Sequence, residues 1–288
     1  MFSALTSLLA GGALLAQVGV VPPRFTIATE RRVERVRYHF DNPSNFDTVE
    51  LVPHFYEQKY DADNLWMLLT AEYRFLGGRA RTQAGLTPRV TTQGSDIDSF
   101  FQTSGDVVTS GTDGQVRLNA FSIDQRFRVA YIGRVTAPQW KVDVVMAYRR
   151  AHASFLPADI IVTHSLPAST TATFTTDRES TVSRMLQSGV AIEREWWLPG
   201  DWSARLESDA MPITRARLTT SLPDKYDYDV VSDAWAFGAT ARLTFERRWS
   251  APLVTGVTIS SGGAWGYRGS ANFQDRLFGV SVFVRYPQ

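Results

Sequence analysis

The chain has 288 residues, enough for one large β domain or two small ones. A formal net charge of +1 argues against a nucleic-acid protein built on bulk charge. The absence of cysteine excludes a disulfide, a thiolate metal site and a cysteine nucleophile, while 44% hydrophobic residues suffice for a core or a lipid-facing surface.

Residues 1–22 read as a signal peptide and 23–288 as a single barrel domain. Met1 to Ala16 is apolar and uncharged and ends in Ala13-Leu14-Leu15-Ala16-Gln17, in the manner of a secretory h-region. No later stretch approaches the roughly 18 unbroken apolar residues of a spanning helix. Past Val21 a period of two dominates. Phe121, Ile123, Phe127, Val129 and Tyr131 alternate with Ser122, Asp124, Arg126 and Arg128. Trp140 to Tyr148 and Trp235 to Phe245 follow the same rule, and Phe278, Val280, Val282, Val284 and Tyr286 close the chain.

Connections alternate between short and long. Tight turns fall at Leu76-Gly77-Gly78, Ala137-Pro138-Gln139, Leu198-Pro199-Gly200-Asp201 and Ser250-Ala251-Pro252. Longer polar segments run from Asp41 to Thr48, Thr92 to Asp113, Pro157 to Glu179, Ser221 to Tyr228 and Gly269 to Gln274. The pattern predicts an all-β fold, a ten-stranded antiparallel transmembrane β-barrel in the outer membrane of a Gram-negative-type bacterium. Trp140, Trp196, Trp197, Trp202 and Trp249 gather beside the short turns, where a periplasmic aromatic girdle belongs. Strands such as Val49 to Phe75 and Gln115 to Val135 exceed the 9–11 residues needed to span, so they are expected to project outward. Glu72, Arg74, Arg81, Asp124, Arg126, Arg128, Glu193, Arg205, Glu207 and Arg242 fall on the lumen side and can pair across it. Gly256 and Gly262-Gly263 read as kinks or bulges.

Asp96 and Asp98, in Gly94-Ser95-Asp96-Ile97-Asp98-Ser99-Phe100, are placed where a strand leaves the bilayer for an outer loop. A close acidic pair at such a rim can hold a water for chemistry, although a solvated turn uses the same residues. Glu34-Arg35-Val36, Lys59-Tyr60-Asp61-Ala62-Asp63-Asn64, the Asp96/Asp98 doublet, Leu118-Asn119 and Tyr148 to Phe155 resemble, in order and spacing, the omptin family of outer-membrane endopeptidases. The resemblance runs from about residue 24 to the end.

That resemblance implies cleavage of peptides near basic residues, by a water held between an Asp pair and an Asp-His pair. Asp96 and Asp98 match the first pair, and Glu34 matches an acidic residue lining the pocket for a basic side chain. In the corresponding fourth loop, Asp224 takes the Asp place and Tyr226 the His place, with no histidine there in any register. Tyrosine, with an ordinary pKa near 10, is a poor general base at neutral pH. His39 and His54 are the candidates to reach across instead. The resemblance also implies dependence on lipopolysaccharide, with Arg35, Arg37 and Arg150 aimed outward toward its phosphates. No metal or other cofactor is expected. The partners expected are outer-membrane lipid and a cationic peptide, and the barrel is expected to be a monomer. The competing readings are a catalytically inactive omptin-like barrel used for surface binding, adhesion or lipid contact, and a small channel.

Overall fold

The computed structural model describes residues 21–41, 55–75, 78–101, 107–133, 140–155, 159–165, 170–175, 179–221, 229–249, 253–269 and 272–286. They form β1 (Val21–Asp41), β2 (Phe55–Phe75), β3 (Gly78–Phe101), β4 (Val107–Ile132), β5 (Trp140–Phe155), β6 (Asp159–His164), β7 (Thr170–Thr175), β8 (Ser180–Leu198), β9 (Trp202–Ser221), β10 (Val230–Arg248), β11 (Val254–Gly269) and β12 (Asn272–Tyr286). The residues of the expected signal peptide before Val21 lie outside the described residues, as do Asp224, Tyr226 and His54.

Ten strands close on themselves. The ring runs β3-β2-β1-β12-β11-β10-β9-β8-β5-β4, and the β3–β4 ladder shuts it. Every pairing is antiparallel, as the short-turn, long-loop alternation predicts. The remaining two strands, β6 and β7, form a hairpin that lengthens the wall. Ile161–His164 of β6 pairs with Val108–Gly111 of β4, beyond the point where β5 has ended at Phe155.

Two expected loops are therefore corrected. Most of Thr92 to Asp113 is strand, with β3 running to Phe101 and β4 starting at Val107. Most of Pro157 to Glu179 is the β6–β7 hairpin. Above the membrane no face of these two segments meets lipid, and their sequences are rich in Thr, Ser, Gly and Asp, so the composition resembles a loop. The glycines of β11 are not bulges either. Pairing runs without a shift through Gly256, Gly262 and Gly263, and the register shift on that ladder lies at Trp235/Ala236.

The outer surface carries the lipid belt. On β12, Phe278, Val280, Val282, Val284 and Tyr286 are exposed, while Gly279, Ser281 and Phe283 between them are buried inward. This nine-residue apolar row has the length of a spanning strand. On the neighbouring strands Arg35 reaches Asp61 at 2.9 Å just beyond the row, opposite Arg276, while Arg31 reaches Asp63 at 2.6 Å at the level of Val280. At the short-turn end, arginines stack on the tryptophans. Arg248 lies 4.0 Å from the Trp197 ring, Arg247 lies 4.3 Å from Trp249, and Arg194 lies 5.3 Å from both Trp140 and Trp196. The β8–β9 turn there is tight, with Gly200 and Asp201 both in the left-handed region at φ of 73° and 61°.

Within the spanning part the lumen is filled by ion pairs. Arg126, 2% exposed, reaches Asp124 at 2.8 Å, Glu207 at 2.8 Å and Asp209 at 2.6 Å. Arg81 and Arg242 complete the layer, at 2.8 Å from Glu207 and 2.5 Å from Asp209 respectively. Nearer the short turns, Arg79 and Lys141 converge on Glu193 while Arg128 pairs with Asp143. A polar cavity of about 210 Å³ adjoins the upper layer, lined among others by Thr70, Gln83, Ser122, Thr240 and Thr258. Gly279 gives Glu30 its room, since a Cβ there would lie 2.2 Å from Glu30 Oε1. Gly279→Ala is expected to cost about 1–3 kcal/mol by overpacking, read from denaturant unfolding in lipid vesicles.

Farther out the lumen changes character. Tyr38, Tyr60, Leu118, Phe155, Leu218 and Phe273 are buried against one another inside the projecting wall, together with Ala216, Ala234 and Ala236. The molecule thus carries an ionic interior where lipid surrounds it and an apolar interior where water does.

Candidate functional site

Where the two interiors meet, β1, β2, β5 and β12 bring together Glu30, Arg32, Glu34, Trp66, Arg149 and Asp275. Strand alternation turns Glu30, Arg32 and Glu34 inward, as expected, and Glu34 is 0% exposed. Arg149 donates to Glu34 Oε2 at 2.5 Å and to Asp275 Oδ2 at 2.6 Å. Arg32 lies between Glu30, at 2.8 Å, and Glu34, at 3.5 Å. Both guanidiniums face the Trp66 ring, at 4.4 Å for Arg32 and 5.8 Å for Arg149. Three carboxylates against two guanidiniums leave this buried group one negative charge in excess. Burial pushes the Asp275 carboxyl up, with Arg149 opposing, and burial likewise pushes up the neighbouring Tyr60 phenol.

The polar row of β2 continues outward from this cluster. Asn64 and Gln58 are wholly buried, and their amides, like the Trp66 indole N–H, have no hydrogen-bond partner among the described residues. Leaving such groups unmade typically costs about 1–3 kcal/mol each. That cost is a reason to read the row as a site rather than as packing.

Asp96 and Asp98 lie in the same region of the wall. They sit within β3 rather than in a loop, Asp96 opposite Gln58 and Thr112, Asp98 opposite Tyr56 and Ser110. Asp224 and Tyr226 belong to the segment outside the described residues, and so does the juxtaposition of the two expected halves. His39 lies on the outward row of β1 with Arg35 and Arg37, its Nδ1 3.7 Å from Glu57 Oε2. That is the opposite face of the wall from buried Gln58. His152 and His164 stand on β5 and β6, opposite Asn119 and Val108.

The outer face carries a second cluster. Arg35, Arg37 and Arg150 all point outward, as expected. Arg35 is engaged by Asp61, and Arg37 stands opposite Lys59, whose ammonium pairs with Glu57. Arg150 belongs to a row the sequence did not disclose. It is directly opposite Arg184, which is directly opposite Arg217, and all three are exposed without an ion pair among the described residues. Like charges directly opposite one another repel, and an anion bridging them removes the cost.

The residues that sequence reasoning missed are Arg149, Asp275, Trp66 and Arg184. Alternation offered one signal, since an outward Arg150 requires an inward Arg149. Trp66 gave another, being far from every short turn.

The closed ring, the lipid belt and the girdle together define an integral membrane barrel, and one solved structure shares its fold. The Escherichia coli outer-membrane protease OmpT superposes with a TM-score of 0.63, covering 92% of this chain and 96% of its own, at 8% sequence identity. The fold is OmpT-like. The molecule is an outer-membrane barrel. The β domain of the Bordetella autotransporter BrkA aligns at a TM-score of 0.35 with 14% identity, over 92% of this chain and 99% of its own. The Pseudomonas putida toluene transporter TodX aligns at 0.30 with 8% identity, over 92% and 89%. No protein-family model and no curated protein matches the chain. At 8% identity the OmpT likeness concerns the fold, and the chemistry has to be argued from the side chains.

Proposed function

We propose that this OmpT-like barrel is a catalytically inactive surface protein, closed to permeation, that binds at the outer face of the membrane. One observation carries the reading. The Glu34 carboxylate, which the omptin resemblance assigns to a basic substrate side chain, is wholly buried and clasped by the chain's own Arg149 at 2.5 Å. Above it, Tyr38, Tyr60, Leu118, Phe155, Leu218 and Phe273 are buried against one another inside the projecting wall. The Arg150–Arg184–Arg217 row supplies the lipid contact, since guanidinium forks suit the phosphates of lipopolysaccharide. Arg184→Ala is expected to weaken lipopolysaccharide binding about fivefold, from about 1 kcal/mol for one basic residue near a charged lipid surface. Flotation with lipopolysaccharide-containing vesicles measures it.

A second reading is favoured by a different observation. Asp96 and Asp98 are held in a paired strand opposite Gln58 and Tyr56 rather than on a loop. Under this reading the chain is an endopeptidase that cuts near basic residues, with Asp96, Asp98, Asp224 and Tyr226 around a water, Glu34 released from Arg149 on substrate binding, and lipopolysaccharide required. The test is a peptide library offered to the barrel refolded with lipopolysaccharide between pH 5 and 9. Cleavage that disappears in Asp96→Asn/Asp98→Asn establishes the protease and overturns the binding reading. No cleavage at any pH, with binding retained, sustains the binding reading.

A further inference from the structure

The mouth of the barrel at the short-turn end holds a chamber of about 70 Å³ that neither reading uses. Its lining is charged almost throughout. Seven cationic side chains face it against four carboxylates. Each carboxylate already has a cation. Glu72 is held by Arg74 at 3.1 Å and by Arg79 at 3.2 Å. Glu193 is held by Arg79 and Lys141, and Lys141 also reaches Glu195 at 3.2 Å. Arg285 reaches Glu246 at 2.7 Å, leaving its second oxygen, Oε2, buried without a partner.

Three guanidiniums remain. Arg24 and Arg205 make no ion pair among the described residues. Arg248 stacks on the exposed Trp197 ring and has no carboxylate partner either. The connections at this end cannot neutralise them. Residues 76–77, 134–139, 199–201 and 249–253 contain one acidic residue between them, Asp201, and one further arginine. Arg24 has Arg74, Arg248 and Arg285 about it, whereas Arg205 lies among Glu193, Glu195, Glu207 and Glu246 without touching one. Cations outnumber carboxylates on the chamber by three.

We infer that this mouth is an anion-binding vestibule for a phosphate-class oxyanion, gripped by Arg24, Arg205 and Arg248. The chemistry sets the class. Guanidinium donors form planar forks that match phosphate oxygens, and charge-assisted bonds of this type are the strong ones. Size limits it. At roughly 10–15 Å³ of such volume per water, the chamber holds about five to seven waters, room for one tetrahedral oxyanion. Several guanidiniums on one chamber favour a multiply charged group that engages more than one of them over a monovalent anion. The phosphate could be free in solution on the short-turn side or belong to a phospholipid head group of the adjacent leaflet, and both present the same oxygens.

The test separates the two sources. The barrel, refolded in an uncharged detergent at low ionic strength, is titrated with inorganic phosphate by calorimetry, beside Arg24→Gln and Arg248→Gln. In parallel, Trp197 emission is followed in nanodiscs of phosphatidylcholine with and without phosphatidylglycerol. Heat-modified gel mobility verifies that each variant has folded. Saturable phosphate binding, weakened about tenfold by loss of one charge-assisted contact, supports a free-anion site. No saturation by phosphate, with a phosphatidylglycerol-dependent change that Arg248→Gln abolishes, supports the head-group source. Silence in both arms, or variants indistinguishable from the native barrel, overturns the proposal. Arg268→Gln, at the outer-loop end of β11 on the far side of the membrane, is the control expected to bind as the native chain does.

Discussion

Replacing Arg126 with methionine is expected to cost about 3–5 kcal/mol of stability, or to prevent refolding altogether. Arg126 is the hub of the lumen, within 2.8 Å of Asp124, Glu207 and Asp209 and almost without exposure. Its removal leaves three carboxylates sharing Arg81 and Arg242 in a buried interior. The penalty belongs to the orphaned charges rather than to the lost attraction, and this can be checked. Adding Glu207→Gln and Asp209→Asn to Arg126→Met should recover much of the loss, whereas the two acid substitutions alone should destabilise. Urea unfolding in lipid vesicles, with band mobility as the readout, gives all three values. Additivity of the three would sink the hub description, because residues in one network must couple.

The second large effect is expected at Arg149. Arg149→Ala strips the cation from both Glu34 and Asp275, and at neutral pH should also cost about 3–5 kcal/mol. This loss should depend on pH, and the sign follows from Asp275. Burial raises its folded pKa above the unfolded value. Its stabilising contribution is therefore fully present below the ordinary aspartate range and is lost as pH rises through the raised folded value. Without Arg149 the folded value rises further. The gap between variant and native should then narrow as pH falls from 7 toward 4. Unfolding midpoints across that range measure it, and a gap that widens on acidification would contradict the arrangement. Millimolar methylguanidinium, filling the space of the missing side chain, should restore part of the midpoint at pH 7. The same variant bears on function, because it presents Glu34 to an outside cation.

The barrel was legible in the sequence because a spanning strand has two solvents. Lipid on one side and a polar lumen on the other write the alternation seen in Phe278 to Tyr286 and in Phe121 to Tyr131. Outside the membrane that contrast disappears. Gln93 to Ser99 pairs on both sides yet reads as a loop, and the β6–β7 hairpin is equally silent. The inward set of charges was legible too, from parity alone, but their partners were not. Arg126 meets Asp209 across 83 residues of sequence, and Arg149 meets Asp275 across 126. Which charges meet across a barrel is fixed by the stagger of its strands, and that stagger accumulates through every ladder of the ring. The same limit hid Arg149 behind Glu34, and it hid the Arg150–Arg184–Arg217 row, whose members come from three separate strands.

The exposed pair Arg35–Asp61 stands on the outer face where the apolar belt ends, with Arg31–Asp63 at the level of Val280 below it. They form part of a collar that cannot sink into hydrocarbon without stranding charge in lipid. Arginines stacked on tryptophan mark the opposite boundary. With both edges marked, the hydrophobic height of this barrel is set by its own covalent sequence and offers little room for tilt. Such a molecule gauges bilayer thickness. In thicker host membranes it should draw the lipid thin around itself or cluster with its own kind, a mismatch response that varies with acyl chain length and not with any ligand.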